Sequence, residues 1–170
     1  MTMKLVSTIT VGSGGAASIE FTGIPGTGKD LLLKVSARDA GNANVWGSLL
    51  LRINGDTGSN YSRTTLYGTG SSVASNAVTD SYLSVFLGIT GNTATASTFG
   101  NSSFYATNYS GSAVKSFSIE SVTENNGTNA AQNLTAGLWN STASITTLTL
   151  NPGSITTFPE HSSASLYIIS

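Results

Sequence analysis

The sequence predicts an all-β domain, a sandwich or barrel of antiparallel strands, and three observations lead there. Apolar residues alternate with polar ones over short runs, which is the period of a strand whose successive side chains point to opposite faces. Clusters of Gly, Asn and Ser bound these runs every 8–15 residues or so, roughly the rhythm of sandwiches and barrels rather than of βαβ units. Helical spacing is hard to find anywhere in the chain.

Strands are expected over 4–11, 17–22, 31–38, 49–54, 61–67, 82–89, 103–109, 114–122, 133–139, 145–150 and 165–169. The first, Leu5-Val6-Ser7-Thr8-Ile9-Thr10-Val11, alternates with hydroxyl residues, and Gly12-Ser13-Gly14-Gly15 separates it from the second. In the third, Leu31, Leu33, Val35 and Ala37 share one face while Leu32, Lys34, Ser36 and Arg38 share the other. The fourth sets Leu49, Leu51 and Ile53 against Leu50 and Arg52 and runs into Asn54-Gly55-Asp56. Asn126-Gly127 marks a later turn, since Asn-Gly favours the φ > 0 corners of hairpins. The stretches Tyr82 to Ile89 and Leu166 to Ile169 carry apolar groups on both faces, so something must cover both sides. No repeat and no shift of composition divides the chain, and residues 1–170 read as one domain.

Charge is scarce. Seven Lys and Arg and eight Asp and Glu make up 9% of the chain, against about 25% in an average soluble domain. Solvation falls instead to 27 Ser, 24 Thr, 19 Gly and 14 Asn, about half of all residues. Scattered single charges cannot neutralise the several phosphates that nucleic-acid binding requires. A hydrophobic fraction of 39% with three Pro argues against disorder. The first residues lack the apolar block of a secretory signal, and no run approaches the 18 or so apolar residues of a membrane helix. Without Cys there is no disulfide framework and no thiolate chemistry.

Motifs that suggest chemistry fail on their own terms. Gly23-Ile24-Pro25-Gly26-Thr27-Gly28-Lys29-Asp30 matches a phosphate-binding loop for seven positions, but Asp30 stands where Ser or Thr must hold magnesium. Leu31 to Val35 then alternate as a strand instead of opening a helix, so the segment reads as a turn with Pro25 setting φ. Asn54, Asp56, Gly58 and Asn60 have oxygens to offer calcium, yet an Asn-Gly turn needs those residue types anyway. His161 beside Glu160 reads as a loop residue. No Gly-x-Ser-x-Gly elbow occurs, and the eight scattered acids show no pairing that marks a glycosidase. The reading is of a protein that is not an enzyme, with no cofactor and no metal. Six Asn-x-Ser/Thr triplets, beginning at Asn60, Asn101, Asn108, Asn126, Asn133 and Asn140, are what a chain rich in these residues makes by chance.

Interfaces remain. Leu32 and Leu50 lie on faces that should be wet, which a central strand under a loop explains as well as a contact between subunits. Trp46, Trp139, Tyr105 and Tyr109 sit among small polar residues and suit core or interface packing, with stacking on a glycan as the lesser reading.

Three segments resemble the virion structural proteins of tailed bacteriophages. They are Gly14 to Thr27 with Asp30 to Arg38, then Leu51-Arg52-Ile53-Asn54 leading to Asn60-Tyr61-Ser62 and Leu66-Tyr67-Gly68, and finally Leu138 to Leu150 with Ser163 to Ile168. Residues 71–123 are largely unmatched, and Ile168 replaces the Gly of the family's usual Leu-Tyr-Gly-Ile ending. The resemblance implies a jelly-roll-like β-sandwich, commonly trimeric. Its implied function is a capsid decoration or cement protein on the virion surface, made in the host cytoplasm and contacting the major capsid protein. The alternative it leaves is a receptor-binding fibre or spike module that recognises host glycans.

Overall fold

The computed structural model describes residues 2–154 and 156–170, and among them the chain forms twelve strands and no helix. In chain order these are β1 (Met3–Thr10), β2 (Ile19–Phe21), β3 (Asp30–Ala37), β4 (Trp46–Ile53), β5 (Tyr61–Gly68), β6 (Val73–Asp80), β7 (Leu83–Thr90), β8 (Gly100–Ala106), β9 (Lys115–Thr123), β10 (Ala131–Trp139), β11 (Leu148–Pro152) and β12 (Ser163–Ile169). Every ladder between them is antiparallel. One sheet has eight strands in the order β1-β12-β3-β8-β9-β10-β5-β6, and the other has four, β2-β11-β4-β7. The architecture is a β-sandwich.

The wiring is nested. Four of the ten ladders are nested, β1·β12, β2·β11, β3·β8 and β4·β7, and fall alternately in the large and the small sheet; they leave the pairs β5·β6 and β9·β10, and the ladders β12·β3, β8·β9, β10·β5 and β11·β4 join pair to pair. This is one long antiparallel hairpin folded across itself. The two remaining pairs both extend the large sheet, so it overhangs the small one.

The core lies where alternation places it. Leu31, Leu33 and Val35 of β3, Phe104 of β8, Ile119 of β9 and Leu166 and Ile168 of β12 meet Leu49, Leu51 and Ile53 of β4, Leu83 and Val85 of β7, and Leu148 and Leu150 of β11. Ile168 is buried, and Gly28 leaves it room: a Cβ on Gly28 would come within 2.0 Å of the Ile168 Cγ2. Strand β7 is buried on both faces by its own chain, packing across β9 and β10.

Between β7 and the large sheet the interior is partly polar. Leu87 adopts φ +55°, unusual for a bulky residue, within a bulge where β4 and β7 slip register between Gly47 and Leu49. Side chains of the large sheet hold this bulge. Asn133 Nδ2 donates to the Phe86 carbonyl at 2.6 Å and Ser102 Oγ to the Gly88 carbonyl at 2.6 Å.

Strand β6 lies outside the eleven expected elements, because Val73-Ala74-Ser75-Asn76-Ala77-Val78-Thr79-Asp80 offers only two large apolar residues. A tight turn creates it: Thr69 N donates to the Ser72 carbonyl at 3.0 Å and Gly70 takes φ +82°. Strand β8 ends at Ala106 rather than at 109, since Asn108 turns with φ +51° and Tyr109 N bonds to the Lys29 carbonyl. Strand β11 begins at Leu148 rather than at 145, because Asn54 Oδ1 takes the N–H groups of Thr146 and Thr147.

Buried charges anchor loops. The Arg38 guanidinium donates to the carbonyls of Asn92, Ala94, Thr95 and Thr98 at 2.8–3.2 Å. Lys115 Nζ donates to the Gly111 carbonyl at 2.7 Å and to that of Ala113. Asp39 accepts from Ser154, Thr156 and Gly41 N. Tyr109 does similar work for residues 23–29, its hydroxyl donating to the Pro25 carbonyl and accepting from Gly28 N at 3.2 Å. Removing that hydroxyl in Tyr109→Phe strands the buried Gly28 N–H and takes a donor from the part-buried Pro25 carbonyl, and should cost about 1–3 kcal/mol, lowering Tm by about 2–10 °C. Urea and thermal unfolding of the variant check this, and an unchanged midpoint would contradict the anchor.

Candidate interaction surface

Residues 23–29 form turns and lead straight into β3 without a helix. Asp30 is occupied within the chain: Tyr105 Oη donates to its Oδ2 at 2.6 Å and Asn108 N to its Oδ1 at 3.0 Å. The Tyr105 hydroxyl is accordingly held above its ordinary pKa by the bond to Asp30.

The Asn54–Asn60 loop is likewise satisfied from within. Asp56 Oδ2 accepts from Trp139 Nε1 at 2.8 Å and its Oδ1 from Gly58 N at 2.9 Å, with Asn60 Nδ2 reaching both oxygens. These donors, Trp139 first, hold the Asp56 carboxyl below the usual Asp range. Among the described residues no group of three or more His, Cys, Asp or Glu gathers as a metal site. His161 is exposed in a turn at φ +73°.

Of the six residues read as interface candidates, two are placed otherwise. Trp139 is 2% exposed and Tyr109 0%, both packed in the chain's own core, because each polar tip finds an internal acceptor. Neither presents a ring to a partner or a sugar. Leu32, Tyr105, Leu50 and Trp46 are half-buried on outer faces, but they do not form one site. Leu32 and Tyr105 belong to the large sheet and Leu50 and Trp46 to the small one, on opposite sides of the sandwich.

The large sheet's outer face is the more extensive. Along it Leu5, Tyr167, Leu32 and Tyr105 are consecutive register partners, and the same row continues to Ala77 of β6 through Ser118, Ala136 and Thr64. Beyond that row Leu134 and Leu66 face each other across β10 and β5, both 52% exposed, with Val122 at 45% and Val73 at 77%. Shallow depressions of about 190–430 Å³ succeed one another over β9, β10, β5 and β6, floored by small residues such as Ala136, Thr64 and Ala77. On this face, among the described strand residues, the charges are Lys34 and Glu120, with Asp30 at the start of β3 bonded to Tyr105. Strand periodicity alone does not find this surface, because β6 and the pairing of β10 with β5 are both tertiary facts.

On the other side, a groove of about 470 Å³ is lined by Leu50, Arg52, Tyr82, Asn151, Pro152 and Ala17, among others. The Arg52 Nε is buried there with no hydrogen-bond partner among the described residues.

No family model, no curated protein and no solved structure matches this chain.

The Asp56 bonds carry a pH dependence. A carboxylate with a depressed folded pKa contributes stability that is complete above its unfolded value, about 3.9, and is lost as pH falls through the folded pKa. Urea midpoints of the wild type should therefore decline below about pH 4. Asp56→Asn should flatten that limb, and identical profiles for the two proteins would count against the Trp139–Asp56 bond.

Proposed function

We propose that this chain is a structural protein of a tailed-phage virion, a jelly-roll capsid decoration or cement protein that assembles as a trimer and docks by shape and apolar area onto the major capsid protein. The observation that carries the reading is the large sheet's outer face, a broad, nearly uncharged surface bearing half-exposed leucines. Eight strands spaced at about 4.8 Å and eight residues at about 3.3 Å give it roughly 900 Å² in plan, near the 800 Å² or so that each partner contributes to a standard interface. Within that face Leu66, Leu134, Val122 and Val73 are exposed as neighbours, and clustered exposed apolar side chains mark interaction sites in soluble proteins. The nested pairing of eight strands supports the jelly-roll assignment. On this reading the protein is not an enzyme.

A second reading, a receptor-binding module for host glycans, draws on the small sheet's groove, where Tyr82 offers a ring and Arg52 and Asn151 offer hydrogen-bonding groups. It ranks below the first because Trp139 and Tyr109, the rings it would naturally use, are enclosed. A glycan array tests it, with Tyr82→Ala expected to abolish any signal found.

For the leading reading, purified protein added to capsid shells that lack it should co-sediment, and intact particles should hold hundreds of copies. Leu66→Glu and Leu134→Glu place a carboxylate in the apolar patch while leaving the core untouched. Each should weaken shell binding by tenfold or more, about 1.4 kcal/mol, with the melting curve unchanged. Unaltered binding by both would move the docking surface elsewhere, and failure of the wild type to bind any shell would end the reading.

A further inference from the structure

The two long edges of the large sheet match each other. In an antiparallel strand the backbone groups of alternate residues turn to opposite neighbours, so one bond fixes which residues face the free edge. The Thr69–Ser72 bond directs Ala74, Asn76 and Val78 towards β5 and leaves Val73, Ser75, Ala77 and Thr79 facing out from β6. On β1, the paired bonds of Thr2 with Ser170 and the bond from Val11 N to the Ser162 carbonyl leave Met3, Leu5, Thr8 and Thr10 facing out. Register partners traced across the sheet lead from Leu5 to Ala77 and from Thr8 to Ser75. Two copies side by side at the same height thus align outward groups with outward groups. The pairs are Met3 with Thr79, Leu5 with Ala77, Thr8 with Ser75 and Thr10 with Val73, and the strands run antiparallel.

Charge and apolar exposure agree with that alignment. Each edge strand carries one charge, Lys4 on β1 and Asp80 on β6, of opposite sign. The alignment sets Lys4 beside Val78 on the face that also carries Asp80, a diagonal neighbour at about 7 Å. Met3 and Leu5 on one edge and Val73 on the other are among the most exposed large apolar residues of the chain. Strand β6 has no Lys, no Pro and no break in its register with β5, and its one charge, Asp80, stands at its end. The bulge at Val6 does not disturb the outward groups, because Val6 and Ser7 together face β12.

We infer that copies of this chain join edge to edge, β6 of one pairing with β1 of the next, so that the large sheets run on as one ladder. Such a head-to-tail contact closes a ring when the rotation allows. The inference rests on the oligomeric part of the proposed function and supplies the contact that builds the trimer.

The test uses two prolines that each remove an outward N–H without touching an internal ladder, Ala77→Pro on β6 and Leu5→Pro on β1. Light scattering behind gel filtration should give a trimer for the wild type and a monomer for each variant, with circular dichroism unchanged. Mixed in equal amounts, the two variants should form a one-to-one dimer, since each retains the edge the other lacks. A monomeric wild type at tens of micromolar, an oligomer that survives Ala77→Pro, or a mixture that stays monomeric would overturn the inference. So would a wild-type dimer that Leu5→Pro leaves intact, which means pairing of β6 with β6. Should a proline variant misfold, Lys4→Glu should raise the trimer's dissociation constant several-fold and Lys4→Glu/Asp80→Lys should restore it; no change in either would also overturn the contact. Shell co-sedimentation is read separately: a wild type that coats shells without this contact leaves the functional reading standing, and one that trimerises by it without coating shells does the reverse.

Discussion

Backbone groups enclosed at the ends of strands need partners, and in this chain the few charged side chains supply them. An unpaired buried carbonyl or N–H costs several times what an ordinary hydrogen bond contributes, so long loops across a sandwich need internal anchors. Arg38 gathers four carbonyls of the β7–β8 loop, Lys115 ties the segment before β9, and Asp30, Asp39 and Asp56 collect hydroxyl, indole and amide donors. None of these bonds joins a cation to an acid. The other charges stand singly on the strands, Lys34 and Glu120 among them on the large sheet's outer face, and the rest of that face is left to Ser, Thr, Ala and scattered leucines.

The sandwich is legible in the sequence wherever burial on one face alone decides the pattern. Strands β3 and β4 can be read residue by residue, because Leu31, Leu33 and Val35 or Leu49, Leu51 and Ile53 alternate with residues that meet water. Strand β6 is not legible, since neither of its faces is deeply covered and its existence depends on the free edge of β5. The aromatics show the same limit from another side. Trp139 and Tyr109 suit an interface because each has an apolar body and a polar tip, but a core with one acceptor in the right place suits them equally. Their acceptors, on Asp56 and Pro25, lie 83 and 84 residues away in sequence. Periodicity carries no information about partners at that distance, so it identifies which side chains need one and not where it is found.

The two-sided apolar strands divide in the same way. Strand β7 is covered on both faces by its own chain, so its leucines and valines say nothing about subunits. Leu32 differs. It stands on the outer face between Tyr167 and Tyr105 in register, half screened by its row, and belongs to a surface that continues across all eight strands.

Width completes the logic of that surface. A sheet of eight strands over one of four leaves β5 and β6 reaching past the cover, and an overhang of that kind would fray if solvent were its only support. Several side chains stiffen it from beneath. Arg63 of β5 donates to Ser84 of β7 and to Asn76 of β6, Thr65 and Thr135 share a hydroxyl bond at 2.8 Å, and the Tyr67 ring meets Phe86 edge-on with centroids 5.2 Å apart. The Asn133 and Ser102 bonds that shape the β7 bulge set the strand against which Arg63 and Tyr67 brace. The polar interior of the sandwich is therefore connected to its outermost edge, because the bulge positions β7, β7 supports β5, and β5 holds β6 straight. An edge held this way keeps its outward N–H and C=O groups in register over the full length of the strand, and the ordering entropy of that strand has already been met by folding.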